Sequence, residues 1–148
     1  MRSVTRFATL LFATAALAAC DDKADFSNVV LPNVTSIGGT WILQTLNGHG
    51  LPAAIVAANT DSVTASTLTL VANNSTSGTF TLTVSRQNTT PPDLTGTYTL
   101  NGAALTLTSN DSPPVVLTGS FSGGNTLTLT QLLNGAAVTT VTAVYARQ

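Results

Sequence analysis

The chain has 148 residues, five basic and six acidic side chains, a formal charge of −1, one cysteine and one histidine. Charged residues make up only 7% of it, against ~25% in an average domain, and no basic patch is present, which excludes nucleic-acid binding by phosphate neutralisation. A lone cysteine without a Cys/His cluster excludes an intrachain disulfide and a structural zinc site.

The first element in chain order is a leader. Arg2 and Arg6 give a positive start, Phe7 to Leu17 is uncharged and mostly apolar, and Ala18-Ala19 leads into Cys20. A positive flank, an apolar stretch of ~7–15 residues and a small-residue boundary form the layout of a secretory signal peptide. The stretch is shorter than the ~20 apolar residues a membrane helix needs.

Leu17-Ala18-Ala19-Cys20 resembles the lipobox of bacterial lipoproteins. The resemblance implies cleavage before Cys20, a diacylglycerol on its sulfur and an acyl chain such as palmitate on the new amino terminus. Two or more chains are what stable anchoring requires. The alternatives are an uncleaved N-terminal membrane segment ending at Cys20, or a leftover thiol. The expected organisation is a signal peptide at 1–19, a lipidated N-terminus and flexible tether at 20–37, and one domain at 38–148. The expected location is a bacterial cell envelope, lipid-anchored with the domain outside the cytoplasm, inner or outer membrane undecided.

Beyond Cys20 the cations are Lys23, Arg86 and Arg147, against six aspartates and no glutamate. From Asp21 to about Ser36 there is no periodicity, as in a tether. After Gly38-Gly39, apolar residues alternate with threonine, the pattern of strands with one buried face. Eight strands are expected: Thr40–Leu46, Val63–Val71, Thr79–Ser85, Gly96–Leu100, Ala104–Thr108, Val115–Phe121, Thr126–Gln131 and Ala137–Ala146. Asn101-Gly102, Gly123-Gly124-Asn125 and Asn134-Gly135 suit hairpin turns, and Pro91-Pro92 and Pro113-Pro114 fall between strands, where a missing amide donor costs nothing. The fold class is all-β, with an eight-stranded antiparallel up-and-down barrel as the expected architecture, because closure removes exposed edges. A β-sandwich has the same period-2 pattern and stays open as an alternative. An outer-membrane barrel fits worse: its strands need ~9–11 residues and aromatic girdles.

Gly39-Thr40-Trp41, followed by Leu43, Asn47-Gly48 and Leu51-Pro52, resembles the G-x-W start of lipocalins and of small bacterial lipocalin-like domains. The segments Thr97 to Gly102, Leu105 to Thr108 and Leu127 to Thr130 add to a likeness that runs from about Gly38 to Arg147. It implies structural roles for Trp41 and Arg147, with the guanidinium over the indole at the closed end of the barrel. Ligand stacking on Trp41 is the lesser reading.

A catalytic site finds little support. His49 sits in Asn47-Gly48-His49-Gly50, an exposed turn, and no G-x-S-x-G elbow is present. Asp61, Asp93 and Asp111 lie in separate loops, so paired-carboxylate chemistry is not expected. No catalytic residue, metal or cofactor is assigned. Two non-enzymatic functions remain. One is a barrel that holds a small hydrophobic ligand inside, lined by Phe80, Leu82, Tyr98, Leu100, Leu105, Leu107, Leu117 and Phe121. The other is an envelope interaction platform with a filled core, making contacts through the loops Asn47 to Ser62 and Arg86 to Asp93. An eight-stranded barrel is wide enough only for its own side chains or for one small ligand. The remaining partner is the membrane, through the lipid on Cys20; the sequence does not set the oligomeric state.

Overall fold

The computed structural model describes residues 36–56 and 61–148. The expected signal segment, Cys20 and the tether up to residue 35 lie outside the described residues. The strands are β1 (Gly39–Leu46), β2 (His49–Gly50), β3 (Val63–Ala72), β4 (Ser77–Arg86), β5 (Leu94–Asn101), β6 (Ala104–Ser109), β7 (Val116–Ser120), β8 (Thr126–Asn134) and β9 (Ala137–Arg147). β1 pairs with β3, each later strand pairs with the next, and β9 returns to pair with β1, every pairing antiparallel. Eight long strands therefore close into a barrel, and the β1–β9 ladder excludes the sandwich.

The differences from the expected strands have local causes. β2 is an additional two-residue strand: Asn47 (φ 54°) and Gly48 (φ 81°) form a tight turn that brings His49 and Gly50 back onto Leu46 and Thr45. His49 is exposed, as expected, but it belongs to a hairpin rather than a free loop. β4 and β5 each begin two residues earlier, because Gly78 pairs with Tyr98 and Leu82 with Leu94. Val115 and Phe121 flank β7 instead of lying in it. Ile37, assigned by sequence to the tether, is buried in the core and its carbonyl accepts a hydrogen bond from Trp41 Nε1 at 3.0 Å.

Three ladder irregularities keep the apolar residues inside. They fall at Leu43/Thr45 in β1, Val63/Ala65 in β3 and Leu129/Gln131 in β8. Each changes the side-chain phase by one residue, so that Leu43 and Leu46, Val63 and Ser66, and Leu129 and Leu132 all point inward despite a spacing of three. Elsewhere strict alternation holds: Phe80, Leu82 and Val84 in β4 and Leu105 and Leu107 in β6 are buried, with threonines between them on the outer face.

Tight curvature appears where β4 meets β5. Phe80 faces Gly96 and Tyr98 faces Gly78 as cross-strand partners, so each large ring covers a residue with no side chain. A Cβ on Gly96 would lie 2.0 Å from the Thr108 carbonyl oxygen and 2.9 Å from Phe80 Cε1; one on Gly78 would lie 2.0 Å from the Val71 oxygen. The backbone itself occupies the space, so neither position tolerates alanine.

The end of the barrel near the start of β1 is shut. Trp41 is fully buried and meets Phe121 edge-to-face, with centroids 5.6 Å apart and planes at 76°. The Arg147 guanidinium carbon lies 4.7 Å from the centre of the indole. Its Nη1 donates to the Gly38 carbonyl at 3.3 Å and its Nη2 to that of Ser36 at 2.5 Å. A guanidinium so placed contributes ~0.5–2 kcal/mol through the ring face and ties the first described residues to the last strand.

Two tyrosines in the interior differ in how their hydroxyls are satisfied. Tyr145 and Ser66 are 3.0 Å apart, oxygen to oxygen, and Ser66 donates to the Thr83 carbonyl at 2.9 Å. The Tyr98 hydroxyl is buried with no hydrogen-bond partner among the described residues. Burial pushes both phenols up, that of Tyr145 to about 12 against the opposing hydrogen bond from Ser66.

Three expectations follow from this packing. Gly96→Ala lowers stability by about 1–3 kcal/mol, read as a lower urea midpoint, whereas Gly50→Ala, with nothing within 4 Å of the added carbon, leaves it nearly unchanged. Tyr98→Phe stabilises by about 1 kcal/mol by removing an unpaired buried hydroxyl, while Tyr145→Phe destabilises by a similar amount, because Ser66 keeps only its bond to the Thr83 carbonyl. A phenol whose folded pKa is raised favours folding in its neutral form. Its contribution is intact below the unfolded value near 10 and is lost as pH rises from about 10 to 12. Urea midpoints measured across that window fall less steeply in Tyr145→Phe than in the native chain.

Candidate functional site

Of the eight residues expected to line a ligand chamber, seven are buried against one another: Phe80, Leu82, Tyr98, Leu105, Leu107, Leu117 and Phe121. Leu100 is the exception. It is half-buried at the end of β5 and packs against the core from its edge, because the alternation that buries Leu94, Gly96 and Tyr98 reaches the closed rim there. Leu68, Leu70, Leu127 and Leu129 fill the same core, each at most 2% exposed.

Open space lies at the opposite end, the mouth. A cavity of about 210 Å³ is walled by Leu82, Val84, Leu94 and Leu133, with Pro91, Pro92 and Gly135 at its edge and Arg86, Asp93 and Asp111 as its charged groups. Only Leu82 was among the expected lining residues. Val84 continues the alternating face of Phe80 and Leu82; the rest escape a period-2 reading because they sit at or near strand ends or in loops, where the alternation stops.

The cavity owes its shape to two devices. The first is Arg86 at the end of β4. Its Nη1 donates to Asn134 Oδ1 at 3.2 Å and its Nη2 to the Leu133 carbonyl at 2.5 Å. β4 and β8 stand opposite each other in the ring of eight long strands, with three strands between them on either side, so Arg86 spans the mouth as a strut. The second device is the chain after β2, which closes the part of the mouth near β1 and β3. Ala53 bridges Val63, with backbone hydrogen bonds of 3.0 and 2.8 Å, and Ala53 and Ile55 are buried in the core. Asn47 holds this segment in place: its Nδ2 donates to the Ile55 carbonyl at 3.1 Å, and its Oδ1 accepts from the Thr142 amide at 2.9 Å. The cavity is what remains on the β5–β7 side of the strut.

The electrostatics of the mouth are acidic. Asp61 accepts from the Thr89 hydroxyl at 2.5 Å and the Asn88 amide at 2.8 Å. The Thr89 bond, the Asn88 amide and the charge of Arg86 together hold its carboxyl below the ordinary value. Asp93 and Asp111, far apart in sequence and read as isolated, are brought to one cavity, and neither forms an ion pair with another described residue. A larger hollow of about 570 Å³, bounded by Asn47, His49, Gly50, Pro52, Ala53 and Ala54, is an open groove on the outside of the β1–β2 hairpin, with no large apolar side chain in its wall. Among the described residues no group of three or more His, Cys, Asp or Glu side chains could hold a metal ion.

No curated protein and no solved structure matches the chain significantly. A family profile does, and it covers residues 37–132, from the buried Ile37 beneath Trp41 to Leu132 at the mouth end of β8. With a closed antiparallel barrel, a G-x-W first strand and a match over most of its length, the chain belongs to the lipocalin-like domain family.

Proposed function

We propose that this chain is a non-enzymatic binding lipoprotein of a bacterial envelope, held to a membrane by lipid on Cys20 and carrying one small, mostly apolar molecule at the barrel mouth. The mouth cavity carries this reading. A dry apolar cavity of ~150 Å³ takes up benzene, so about 210 Å³ walled by Leu82, Val84, Leu94 and Leu133 has room for one ring and a short tail. It lies below the ~300–1,000 Å³ of pockets for drug-sized ligands, which rules against a long fatty acid threaded through the interior. The filled lower barrel supports the same choice of place. The first described residues, Ser36 and Gly38, are tied to Arg147 at the closed end, opposite the cavity.

A second reading rests on that filled core: a rigid platform whose loops contact another envelope protein. The two readings separate by what accompanies the protein when it is extracted natively from its own membrane. Mass spectrometry is expected to find a stoichiometric small molecule with the native chain and none with Leu133→Trp, in which an indole from the half-buried rim fills the cavity. Repeated recovery of a protein partner with no small molecule would establish the platform instead. For the anchor, Cys20→Ser is expected to abolish the globomycin-sensitive change in size and to release the chain from the membrane fraction; an unchanged distribution removes the lipoprotein assignment.

A further inference from the structure

The geometry points to a small organic cation with a compact apolar body as the occupant of the mouth, an inference that rests on the mouth being a binding site. The one cation at the cavity is already committed. Arg86 directs two of its donors to Asn134 Oδ1 and the Leu133 carbonyl, and its charge acts on Asp61. A ligand carboxylate would have to share the guanidinium with the strut that shapes the cavity, through the donors that Asn134 and Leu133 leave over. Asp93 and Asp111 present the opposite case: both border the cavity and are exposed, and no described cation is paired with either. Arg147, the other described arginine, is at the closed end over Trp41.

The mouth thus gathers three aspartates around one arginine, while the closed end holds an arginine and, among the described residues, no acid. A charged ligand approaching the cavity meets a negative rim outside apolar walls, the arrangement that suits an ammonium group on a ring or short hydrocarbon. The apolar part fits against Leu82, Val84 and Leu94, and the ammonium remains at the rim, where water and the two carboxylates share its solvation. Leaving the charge at the rim avoids the cost of burying it. Selection by sign requires no hydrogen-bonding groups deep in the barrel, and the side chains of Leu82, Val84 and Leu94 supply none.

The test compares three probes of one size on the full chain in phosphocholine nanodiscs: phenethylamine, 2-phenylethanol and 3-phenylpropionate. By ligand-observed NMR titration at low salt, phenethylamine is expected to bind roughly tenfold more tightly than phenylpropionate, with the alcohol between them, since two carboxylates attract one probe and repel the other. Added salt narrows the gap. The Asp93→Asn, Asp111→Asn double variant is expected to bring all three within about twofold while leaving the alcohol unchanged. Equal affinities on the native chain, or a preference for phenylpropionate, overturn the selection of cations but leave the mouth site standing, provided Leu133→Trp abolishes binding of the alcohol. If no probe binds, or if binding survives both Leu133→Trp and Leu94→Trp, the mouth is not the site and the inference falls with it.

Discussion

The pairing of β1 with β9 is the constraint on which the rest depends. Trp41 and Arg147 are register partners in that ladder and also meet through the ring face, so one pair of residues closes the sheet and shuts its lower end. Closing at eight long strands limits the interior to about the width of its own side chains. The leucines of β3, β6, β7 and β8 then meet at the axis, and little internal space is left below the mouth. Strand number, leucine at about half of the buried strand positions and aromatic rings at several others together fill most of the interior below the mouth.

Curvature this tight cannot be met by leucine everywhere. Where Phe80 and Tyr98 enter, the facing strand gives up its side chain at Gly96 and Gly78, and the ring occupies the volume released. The three phase changes near the mouth solve a related problem. They return an apolar or small side chain to the inside where β1, β3 and β8 approach the mouth, so the core stays covered there. Arg86 and Ile55 divide the room that is left.

These features differ in how far they could be read from the sequence. Thr-Leu-Thr-Leu alternation needs only the pleat of a strand to be interpreted, and the turns at Asn101-Gly102 and Asn134-Gly135 need only local backbone preference, so the all-β architecture was legible. Trp41 and Arg147 lie at opposite ends of the domain sequence; their meeting was reached only through family likeness, since no spacing rule links them. The cavity was not legible. Leu94 stands directly after Pro91, Pro92 and Asp93, and Leu133 comes after a phase change at Gln131, so neither stands out in a period-2 count. The convergence of Asp93 with Asp111 depends on two loops emerging at the same end of the barrel, a property of topology alone. Ile37 was missed because a single apolar residue before Gly38 carries no period.

Sparse charge makes the position of each charged group consequential. Both described arginines hydrogen-bond to uncharged oxygens: Arg147 to the Ser36 and Gly38 carbonyls, Arg86 to the Leu133 carbonyl and the Asn134 side chain. Each joins elements distant in sequence at one pole of the barrel, a task for which the several fixed donors of a guanidinium are suited and an ammonium is not. Neither arginine is paired with Asp93 or Asp111. Because the loops that close the mouth carry the only described aspartates, negative charge collects where the cavity opens. The same economy that builds the barrel with two cations thus leaves its entrance with a sign.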